Sequence, residues 1–333
     1  MAKAFHSNGQ ITCMESPKQV CVYGSGYLGS QIALQCAASG VPVNLYDVSR
    51  DALEQSKNSV NGYLDQWILE GKMKTEEKEA ILSRMLWTDS ASQAAASAEI
   101  VIEAVTERLE VKREVFKNLG RLCGPRTILA TNSSSIRVSR IEDATNRPDR
   151  VINMHFYGFP WRSRIVELMR GTKTSDETLG RVREFSMMIG LTPLTVLKES
   201  TGFIFNRVWR AVKRECLHLV DEGVATHEDV DRAWISLYGT SAGPFGMMDR
   251  VGLDVVRDIE MTYYEESGDA ADYPPRTLLD KVERGELGVK TGKGFYAYPN
   301  PVYGDPSWLH PEPGIKRLGT RRSNSKQRSV QSS

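Results

Sequence analysis

The sequence predicts an α/β protein in which a doubly wound, mostly parallel sheet is followed by an all-helical C-terminal domain. Short β-rich runs alternate with helical patterns between residues 20 and 197, which is typical of parallel strands joined by helices. After Lys198 the strand signal disappears, and only helical patterns follow up to about residue 298. The change of pattern at 197–202 therefore predicts a domain boundary.

The first elements of the chain form a βαβ unit. Residues 20–23 and 41–46 are β-rich and flank a helical pattern at 27–39. Two further helices, at 49–70 and 75–86, are expected to project from the sheet as a long hairpin. Further strands are predicted at 100–105, 127–131, 151–156, 165–169 and 194–197, and the helices of the second domain at 203–222, 227–237, 247–266 and 275–284.

Composition and charge describe a globular chain of 333 residues, 40% of them hydrophobic, with 43 basic and 42 acidic side chains. These values exclude collagen, coiled coil and wholesale disorder. Six basic residues follow the last acid, Glu312, so the rest of the chain has 37 bases against 42 acids. This acidic body argues against nucleic acid as the main partner, because phosphate binding depends on clustered lysine and arginine.

A charge-free run at 19–46 is long enough to span a bilayer, but glycines, a proline and amide side chains interrupt it. We therefore expect a buried strand, helix and strand there, and no membrane association. The five cysteines are odd in number and include no CxxC pair. This pattern indicates reduced thiols and a cytoplasmic location, and it predicts no metal site.

A glycine pattern links the first strand to the first helix. It consists of Gly24, Ser25, Gly26, Tyr27, Leu28 and Gly29. In this context the pattern is the fingerprint of a Rossmann-type dinucleotide site, where phosphate binds the free N–H groups of the helix terminus. The alternative is a glycine turn that serves packing alone.

The acid that ends the second predicted strand selects the cofactor. Asp47 lies 18 residues after Gly29, where a carboxylate can accept both ribose hydroxyls and repel a 2′-phosphate. NAD is therefore predicted rather than NADP. Arg50 follows Asp47 by three residues, and an arginine there could bind a 2′-phosphate, so NADP is the alternative.

A histidine and a glutamate in two successive predicted strands form a candidate catalytic pair. His155 lies at the carboxyl side of the sheet, and Glu167 follows 12 residues later, after a turn at 158–160 that could bring the two side by side. A carboxylate on one imidazole nitrogen leaves the other nitrogen free to accept a hydroxyl proton. Taken alone, His155 could instead be a core histidine bonded to backbone. Glu167 could likewise be a solvated acid at the edge of a strand.

Taken together, these residues resemble the L-3-hydroxyacyl-CoA dehydrogenase family, including its 3-hydroxybutyryl-CoA and lambda-crystallin-like members. The resemblance covers residues 18–298. Its specific pieces are VYGSGYLG at 22–29, EAVTE at 103–107, TNSSS at 131–135, HF at 155–156, VE at 166–167, TGFIFNR at 201–207, GPF at 243–245, VGLD at 251–254 and TGKGFY at 291–296.

The resemblance implies a role for each catalytic position. His155 would be the general base and Glu167 its orienting partner, while Ser134 and Asn206 would hydrogen-bond the substrate oxygens. Ser134 stands 21 residues before His155, which matches the family spacing. Its neighbours Ser133 and Ser135 remain alternatives.

Further implications concern the cofactor and the assembly. Glu107 and Lys112 match positions that contact the nicotinamide half of NAD, and their alternative is a solvated surface ion pair. The helical domain would close over the substrate and form a homodimer. We thus expect a flexible N-terminus at 1–17, an NAD-binding domain at 18–199, a helical substrate and dimerisation domain at 200–298, and an extended to disordered basic tail at 299–333.

This chain departs from the family pattern around the substrate. Gly158 replaces an asparagine, and Arg162 and Arg164 lie beside the expected active site. In the helical hairpin, two positions that contact CoA in the family are Tyr63 and Glu70 here. The first hypothesis is therefore a 3-hydroxyacyl-CoA substrate, the second a free 3-hydroxy acid of the gulonate type, and the third a catalytically inactive NAD-binding protein.

Overall fold

The computed structural model describes residues 17–309. Its sheet has eight strands in the order β3-β2-β1-β4-β5-β6-β7-β8. The strands are β1 Val20–Tyr23, β2 Val43–Tyr46, β3 Met85–Thr88, β4 Ile100–Glu103, β5 Ile128–Thr131, β6 Val151–Phe156, β7 Ile165–Arg170 and β8 Thr192–Val196. All neighbouring pairs are parallel except β6 and β7, which are antiparallel.

Helices lie between most strands and make up most of the second half. They are α1 Tyr27–Ala38, α2 Arg50–Leu69, α3 Thr75–Leu82, α4 Ala91–Ala95, α5 Leu109–Leu122, α6 Pro160–Ser163, α7 Asp176–Met188, α8 Phe205–Asp221, α9 His227–Tyr238, α10 Pro244–Val251, α11 Leu253–Ser267, α12 Arg276–Glu283 and α13 Pro306–Leu309. The predicted fold class, a doubly wound, mostly parallel sheet followed by a helical domain, is confirmed.

The charge-free run at 19–46 forms β1, α1 and β2, as predicted. Val20, Val22 and Ile32 from this run are fully buried in one core cluster. Within residues 17–309 the structure has no helix that is both long and apolar enough to cross a membrane.

Strand β3 lies where the sequence predicts the end of a helix, at residues up to 86. The helix ends at Leu82, and Met85–Thr88 pairs in parallel with β2. The N–H of Val43 donates to the carbonyl of Arg84 at 2.8 Å, which begins this pairing. A partner strand some 40 residues earlier is a long-range contact, and a local helical pattern cannot reveal it.

The predicted hairpin consists of α2 and α3, and one face of α2 is buried. Leu53, Val60 and Leu64 of α2 are buried, and Val60 and Leu64 belong to the same core cluster as Ile32 of α1. Their spacing of seven and four residues places all three on one helix face. Because that face is apolar, α2 packs on α1.

The chain divides into two compact units between Arg207 and Val208. The sequence predicts this boundary at 199–200. The difference arises because the first residues after β8 stay with the sheet: the backbone N–H groups of Ile204 and Phe205 each donate to Oε1 of Glu167 at 2.9 Å.

The second unit has its own core, which includes Leu217, Phe245 and Leu253. The single helix predicted at 247–266 is two helices, α10 and α11, which meet at Gly252. Gly252 has φ +102°, a backbone conformation that a helix cannot contain and that favours glycine.

The segment after residue 298 differs from the predicted extended tail as far as the structure describes it. Residues 302–304 form a 3-10 turn and Pro306–Leu309 a short helix. Tyr303 is buried in the core of the second unit, and Trp308 packs against that core. Aromatic side chains thus hold this proline-rich stretch in place. The rest of the predicted basic tail and the N-terminal segment before Pro17 lie outside the described residues.

Candidate functional site

The glycine turn between β1 and α1 has the close packing that its sequence predicts. A Cβ on Gly29 would lie 2.0 Å from the carbonyl oxygen of Gly24, and one on Gly24, at φ +118°, would lie 2.6 Å from that of Ala104. A Cβ on Gly26 would meet nothing within 4 Å. The first and third glycines are therefore needed for packing, and the second faces open space.

The amino terminus of α1 offers unpaired donors at this open space. Gly26 precedes the helix, and no side chain of residues 17–309 caps its first turn. Free N–H groups at a helix terminus attract anions such as a pyrophosphate. A cavity of about 440 Å³ adjoins the turn, and its lining includes Gly26, Tyr46, Asp47 and Val105. The glycine turn, the amino terminus of α1 and the adjoining cavity together fit a dinucleotide.

Asp47 lies at the end of β2 on the edge of that cavity. Its Oδ2 accepts hydrogen bonds from the backbone N–H of Ser25 at 2.8 Å and from the hydroxyl of Ser25 at 3.1 Å. Its Oδ1 accepts from the N–H of Ser49 at 3.0 Å. Arg50 is the residue that makes NADP the alternative cofactor. Its Nε forms an ion pair with Oδ2 of Asp89 at 2.6 Å. The charge at this edge therefore favours NAD.

The serines that follow β5 are organised by one carboxylate. Oε1 of Glu107 accepts the hydroxyl of Ser133, the backbone N–H groups of Ser134 and Ser135 at 3.0 Å each, and the hydroxyl of Ser135 at 2.8 Å. Burial raises the pKa of Glu107, but the charge of Lys112 and the serine donors outweigh it and hold that pKa below its ordinary value. Glu107 thus remains an acceptor that shapes the loop.

This arrangement separates the three candidate serines. The hydroxyl of Ser133 is engaged with Glu107 and accepts the N–H of Ile136 at 2.7 Å, and the hydroxyl of Ser135 is engaged with Glu107. Ser134 is exposed, and among the described residues its hydroxyl has no hydrogen-bond partner. Of these three serines, Ser134 is therefore the one whose hydroxyl is unpaired within residues 17–309 and open to a ligand.

Lys112 is buried. The alternative interpretation, that it belongs to a solvated ion pair on the surface, is therefore wrong. Its side chain is 1% exposed, and its Nζ lies 2.7 Å from Oε1 of Glu103 and 3.1 Å from Oε2 of Glu107. Glu103, at the end of β4, is fully buried and also accepts the hydroxyl of Thr131 at 2.7 Å. This network joins the ends of β4 and β5 to the start of α5.

His155 and Glu167 lie directly opposite each other on the antiparallel strands β6 and β7. The Nδ1 atom of His155 is 2.8 Å from Oε2 of Glu167, as the sequence predicts for a paired histidine. Glu167 is fully buried and His155 is 5% exposed. A buried carboxylate on Nδ1 orients the imidazole and leaves Nε2 as the second nitrogen.

Glu167 accepts four hydrogen bonds. Besides His155 and the N–H groups of Ile204 and Phe205, the hydroxyl of Tyr157 donates to Oε2 at 2.8 Å. Burial raises the pKa of Glu167, but these donors outweigh it and hold that pKa below its ordinary value. Tyr157 is not among the site residues that the sequence predicts. It directly follows β6 and continues the alternation that points His155 toward Glu167, so the spacing of two residues was a usable signal.

Asn206 lies in the first turn of α8, directly after Phe205. Since the N–H of Phe205 bonds Glu167, the start of α8 is anchored at the histidine pair. The side-chain amide of Asn206 is half-buried and, within the described part of the chain, has no hydrogen-bond partner. The amide is therefore available to a ligand, and its predicted contact with substrate stays a prediction.

The loop that contains Gly158 is held by aromatic contacts. Phe159 adopts a left-handed conformation at φ 53°, and its N–H donates to Oε1 of Gln31 at 2.6 Å. The rings of Phe159 and Trp161 pack against Tyr63 of α2 at 5.9 Å and 5.2 Å. Tyr63 is thus part of the loop's support.

The charges near this loop are partly neutralised. Glu70 pairs with Lys72 at 2.5 Å, and this bond holds the pKa of Glu70 below its ordinary value. Arg162 lies over the ring of Phe159 at 5.1 Å and remains exposed. Glu70 therefore does not present an uncompensated negative charge to a ligand.

Two family models match the chain. Residues 19–200 match the NAD binding domain of 3-hydroxyacyl-CoA dehydrogenase, and residues 202–298 match the C-terminal domain of the same enzyme. Together the two matches span both structural units and agree with the order of the sheet and the helical domain.

Individual relatives are similar over most of the chain. A probable 3-hydroxybutyryl-CoA dehydrogenase of Bacillus subtilis is 37% identical over 282 residues, which cover 84% of this chain and 97% of that protein. The crystal structure of (S)-3-hydroxybutyryl-CoA dehydrogenase from Ralstonia eutropha has a TM-score of 0.81 at 33% identity, covering 86% of this chain and all of that one. A diketoreductase structure, described as acting on dicarbonyl compounds, has a TM-score of 0.75 at 32% identity over 86% of this chain and all of that one.

Proposed function

The chain belongs to the 3-hydroxyacyl-CoA dehydrogenase family, and we propose that its residues interconvert a 3-hydroxyacyl-CoA and a 3-ketoacyl-CoA with NAD. The observation that carries this proposal is the buried contact of 2.8 Å between Nδ1 of His155 and Oε2 of Glu167. That contact leaves Nε2 of His155 to accept the proton of the C3 hydroxyl. When bound, NAD supplies the acceptor for the hydride that leaves C3.

The polar groups around His155 have complementary roles in this proposal. The hydroxyl of Ser134 and the amide of Asn206 donate hydrogen bonds to the substrate oxygen at C3, which stabilises the charge that develops there. Glu167 orients the imidazole and stabilises its charged form after proton transfer. In the reverse direction the same imidazolium returns its proton to the oxygen.

The cofactor is held by the glycine turn and the network behind it. The backbone of Gly24, Ser25, Gly26, Tyr27, Leu28 and Gly29 binds the pyrophosphate, and Asp47 binds the adenosine ribose. Glu107 faces the nicotinamide half. Since Lys112 is only 1% exposed, it acts by positioning Glu107 and the strand ends.

Turnover of acetoacetyl-CoA tests this function. Purified protein should oxidise NADH with acetoacetyl-CoA, and His155→Ala should reduce kcat by about 10²- to 10⁴-fold, as expected for loss of a general base. His218→Ala, in α8 of the second unit, serves as the matched control and should keep full activity. Tight NADH binding by wild type without any turnover would overturn the proposal and favour an inactive NAD-binding protein.

A second candidate substrate is a free 3-hydroxy acid or a related dicarbonyl compound. Tyr63 packs in the aromatic support of the loop, and Glu70 is tied to Lys72, so neither offers the cationic group that CoA phosphates attract. Arg162 and Arg164 are both exposed beside that loop and suit a carboxylate. The similarity to a diketoreductase is a further reason to test this class.

Parallel assays with acetoacetyl-CoA and free acetoacetate distinguish the two classes. If the free acid is the substrate, Arg162→Ala and Arg164→Ala should each raise its KM by about tenfold, the value of one charge-assisted hydrogen bond. Unchanged kinetics in both variants would remove this candidate. Turnover of the thioester alone would support the acyl-CoA assignment.

We also propose that the protein is a homodimer assembled through its helical unit. The second unit exposes several large apolar side chains, among them Leu237 at 78% and Val208 at 58% exposure. Val255 and Ile259 are exposed four residues apart on one face of α11. Light scattering should give twice the chain mass of 37.3 kDa for wild type and the monomer mass for Val255→Asp with Ile259→Asp. A monomeric wild type would contradict this.

A reducing, cytoplasm-like compartment is proposed from the cysteines. The described ones, Cys21, Cys36, Cys123 and Cys216, are all buried and free. Buried thiols of this kind act as small apolar side chains. Alkylation of the purified protein under native and denaturing conditions should find them reduced and accessible only after unfolding.

A further inference from the structure

Tyr157 and His155 share one oxygen of Glu167. The hydroxyl of Tyr157 donates to Oε2 at 2.8 Å, and Nδ1 of His155 bonds the same Oε2 at 2.8 Å. Both residues lie on the same side of the chain, two positions apart. The hydroxyl of Tyr157 is thus connected to the imidazole through the carboxylate of Glu167.

We propose that Tyr157 is a positioning residue that sets the base strength of His155 by withdrawing charge from the oxygen they share. This proposal rests on the function proposed above, in which His155 is the general base. A phenylalanine in place of Tyr157 would keep the ring and lose only the hydroxyl.

The surroundings of Glu167 make its carboxylate sensitive to each hydrogen-bond donor. Its carboxylate is fully buried, where hydrogen bonds and charges act more strongly than in water. Oε1 is occupied by the N–H groups of Ile204 and Phe205, so Oε2 carries the interaction with the imidazole. A donor on Oε2 competes with the imidazole for the charge of that oxygen. It thereby reduces the stabilisation of the imidazolium.

Tyr157 remains a donor throughout the pH range of an assay. Burial, followed by its contact with Glu167, raises the pKa of Tyr157 far above neutral pH. The groups around the carboxylate and its imidazole are His155 from β6, Tyr157, the linker residues from Phe203 to Phe205, and Leu194 from β8. Of these only His155 and Tyr157 are titratable.

Ring packing fixes the position of the hydroxyl. The ring of Tyr157 lies 4.6 Å from that of His155 and meets that of Phe205 edge to face at 5.7 Å. The ring of Phe203 contacts His155 from another direction at 5.0 Å. These contacts do not involve the hydroxyl, so Tyr157→Phe should retain them.

The test is the pH dependence of both reaction directions in Tyr157→Phe. Without the competing donor, the imidazolium is better stabilised and the base keeps its proton to higher pH. The acid limb of kcat/KM for hydroxyacyl oxidation should therefore move up by about half a pH unit, and the basic limb for ketoacyl reduction should move in the same direction. The KM for acetoacetyl-CoA should change less than twofold.

Three comparisons make the result specific. Tyr264→Phe removes a hydroxyl in the second unit, where the ring of Tyr264 packs against that of Tyr273, and should shift neither limb. In a Glu167→Gln background, Tyr157→Phe should add no further shift, because the hydroxyl acts through the carboxylate. If Glu167→Gln does not fold, an NMR titration of the His155 imidazole in wild type and Tyr157→Phe reports the same change without turnover.

The outcomes separate this proposal from the one on which it rests. An inactive wild type overturns the proposed dehydrogenase function. An active wild type whose pH limbs and imidazole titration are unchanged in Tyr157→Phe overturns the role of Tyr157 alone. A uniform loss of kcat at every pH, without a shift of either limb, would also overturn it and make the hydroxyl merely structural.

Discussion

Lys112 and Glu103 form an ion pair that is shut off from solvent, with Nζ 2.7 Å from Oε1 and side-chain exposures of 1% and 0%. The pair lies between α5 and the end of β4, and Nζ also contacts Glu107, which shapes the serine loop. The same network therefore affects both the stability of the fold and the geometry of the serine loop.

Removing the lysine should destabilise the protein strongly. Lys112→Met leaves the Glu103 carboxylate buried without its partner, which costs about 3–5 kcal/mol in the free energy of unfolding. Lys117→Met in the same helix breaks an exposed contact of 3.8 Å with Glu114 and should cost less than about 1 kcal/mol. Urea unfolding of both variants measures the difference, and equal stabilities would contradict the role of the buried pair.

The second and third glycines of the turn should respond differently to alanine. Gly29→Ala places a Cβ 2.0 Å from the Gly24 carbonyl oxygen, so we expect a lower unfolding temperature together with weak NADH binding. Gly26→Ala meets no protein atom within 4 Å and should unfold like wild type. Its methyl group would occupy the space of the pyrophosphate and weaken NADH binding by at least about tenfold.

Calorimetry of NADH binding, combined with thermal unfolding, distinguishes these effects. Wild-type affinity in Gly26→Ala would show that the pyrophosphate does not approach this backbone. Wild-type stability in Gly29→Ala would contradict the close packing of helix and strand.

The hydroxyl of Ser134, rather than those of its neighbours, should matter for turnover. Ser134→Ala removes the free hydroxyl and should lower kcat by about 10²-fold, the usual effect of losing one donor to a developing charge. Ser135→Ala loses a bond to Glu107 but keeps the hydroxyl of Ser134, and should lower kcat much less. The assay is NADH oxidation with acetoacetyl-CoA. The opposite order of effects would assign the contact to Ser135.

A buried acid in the second unit should make stability depend on pH. Burial raises the pKa of Asp231 from 3.8 to about 6, against the hydrogen bonds that it accepts from the N–H groups of Phe245 and Gly246 and the hydroxyl of Tyr296. The folded state therefore holds this proton more tightly than the unfolded state. The contribution of protonated Asp231 to the free energy of unfolding is fully present below about pH 4. It is lost as the pH rises through about 6.

The comparison of wild type with Asp231→Asn isolates this contribution. Between pH 4 and pH 7, wild type should lose up to about 3 kcal/mol in the free energy of unfolding relative to the variant, since one pKa unit corresponds to about 1.4 kcal/mol. Urea unfolding across this range measures the change. A constant difference between the two proteins would show that Asp231 ionises normally.

Much of the fold could be predicted because its signals are local. The glycine turn, the β-rich runs on either side of α1 and the acid at position 47 lie within one βαβ unit, where spacing alone places them. His155 and Glu167 were also predicted as a pair, since a short turn between two strands brings them opposite each other. Strand β3 was missed because its partner, β2, is distant in sequence.

The sequence by itself determined the order of sheet and helices, the cofactor turn and the residue types available for proton transfer, because strand and helix periodicity and glycine geometry depend on neighbouring residues. Tertiary structure alone decided which serine has a free hydroxyl, that Lys112 is buried and that Tyr157 shares an oxygen of Glu167. Each of these depends on hydrogen bonds between elements far apart in the chain. Burial and hydrogen-bond partners of this kind are properties of the packed molecule, and a local sequence pattern does not reveal them.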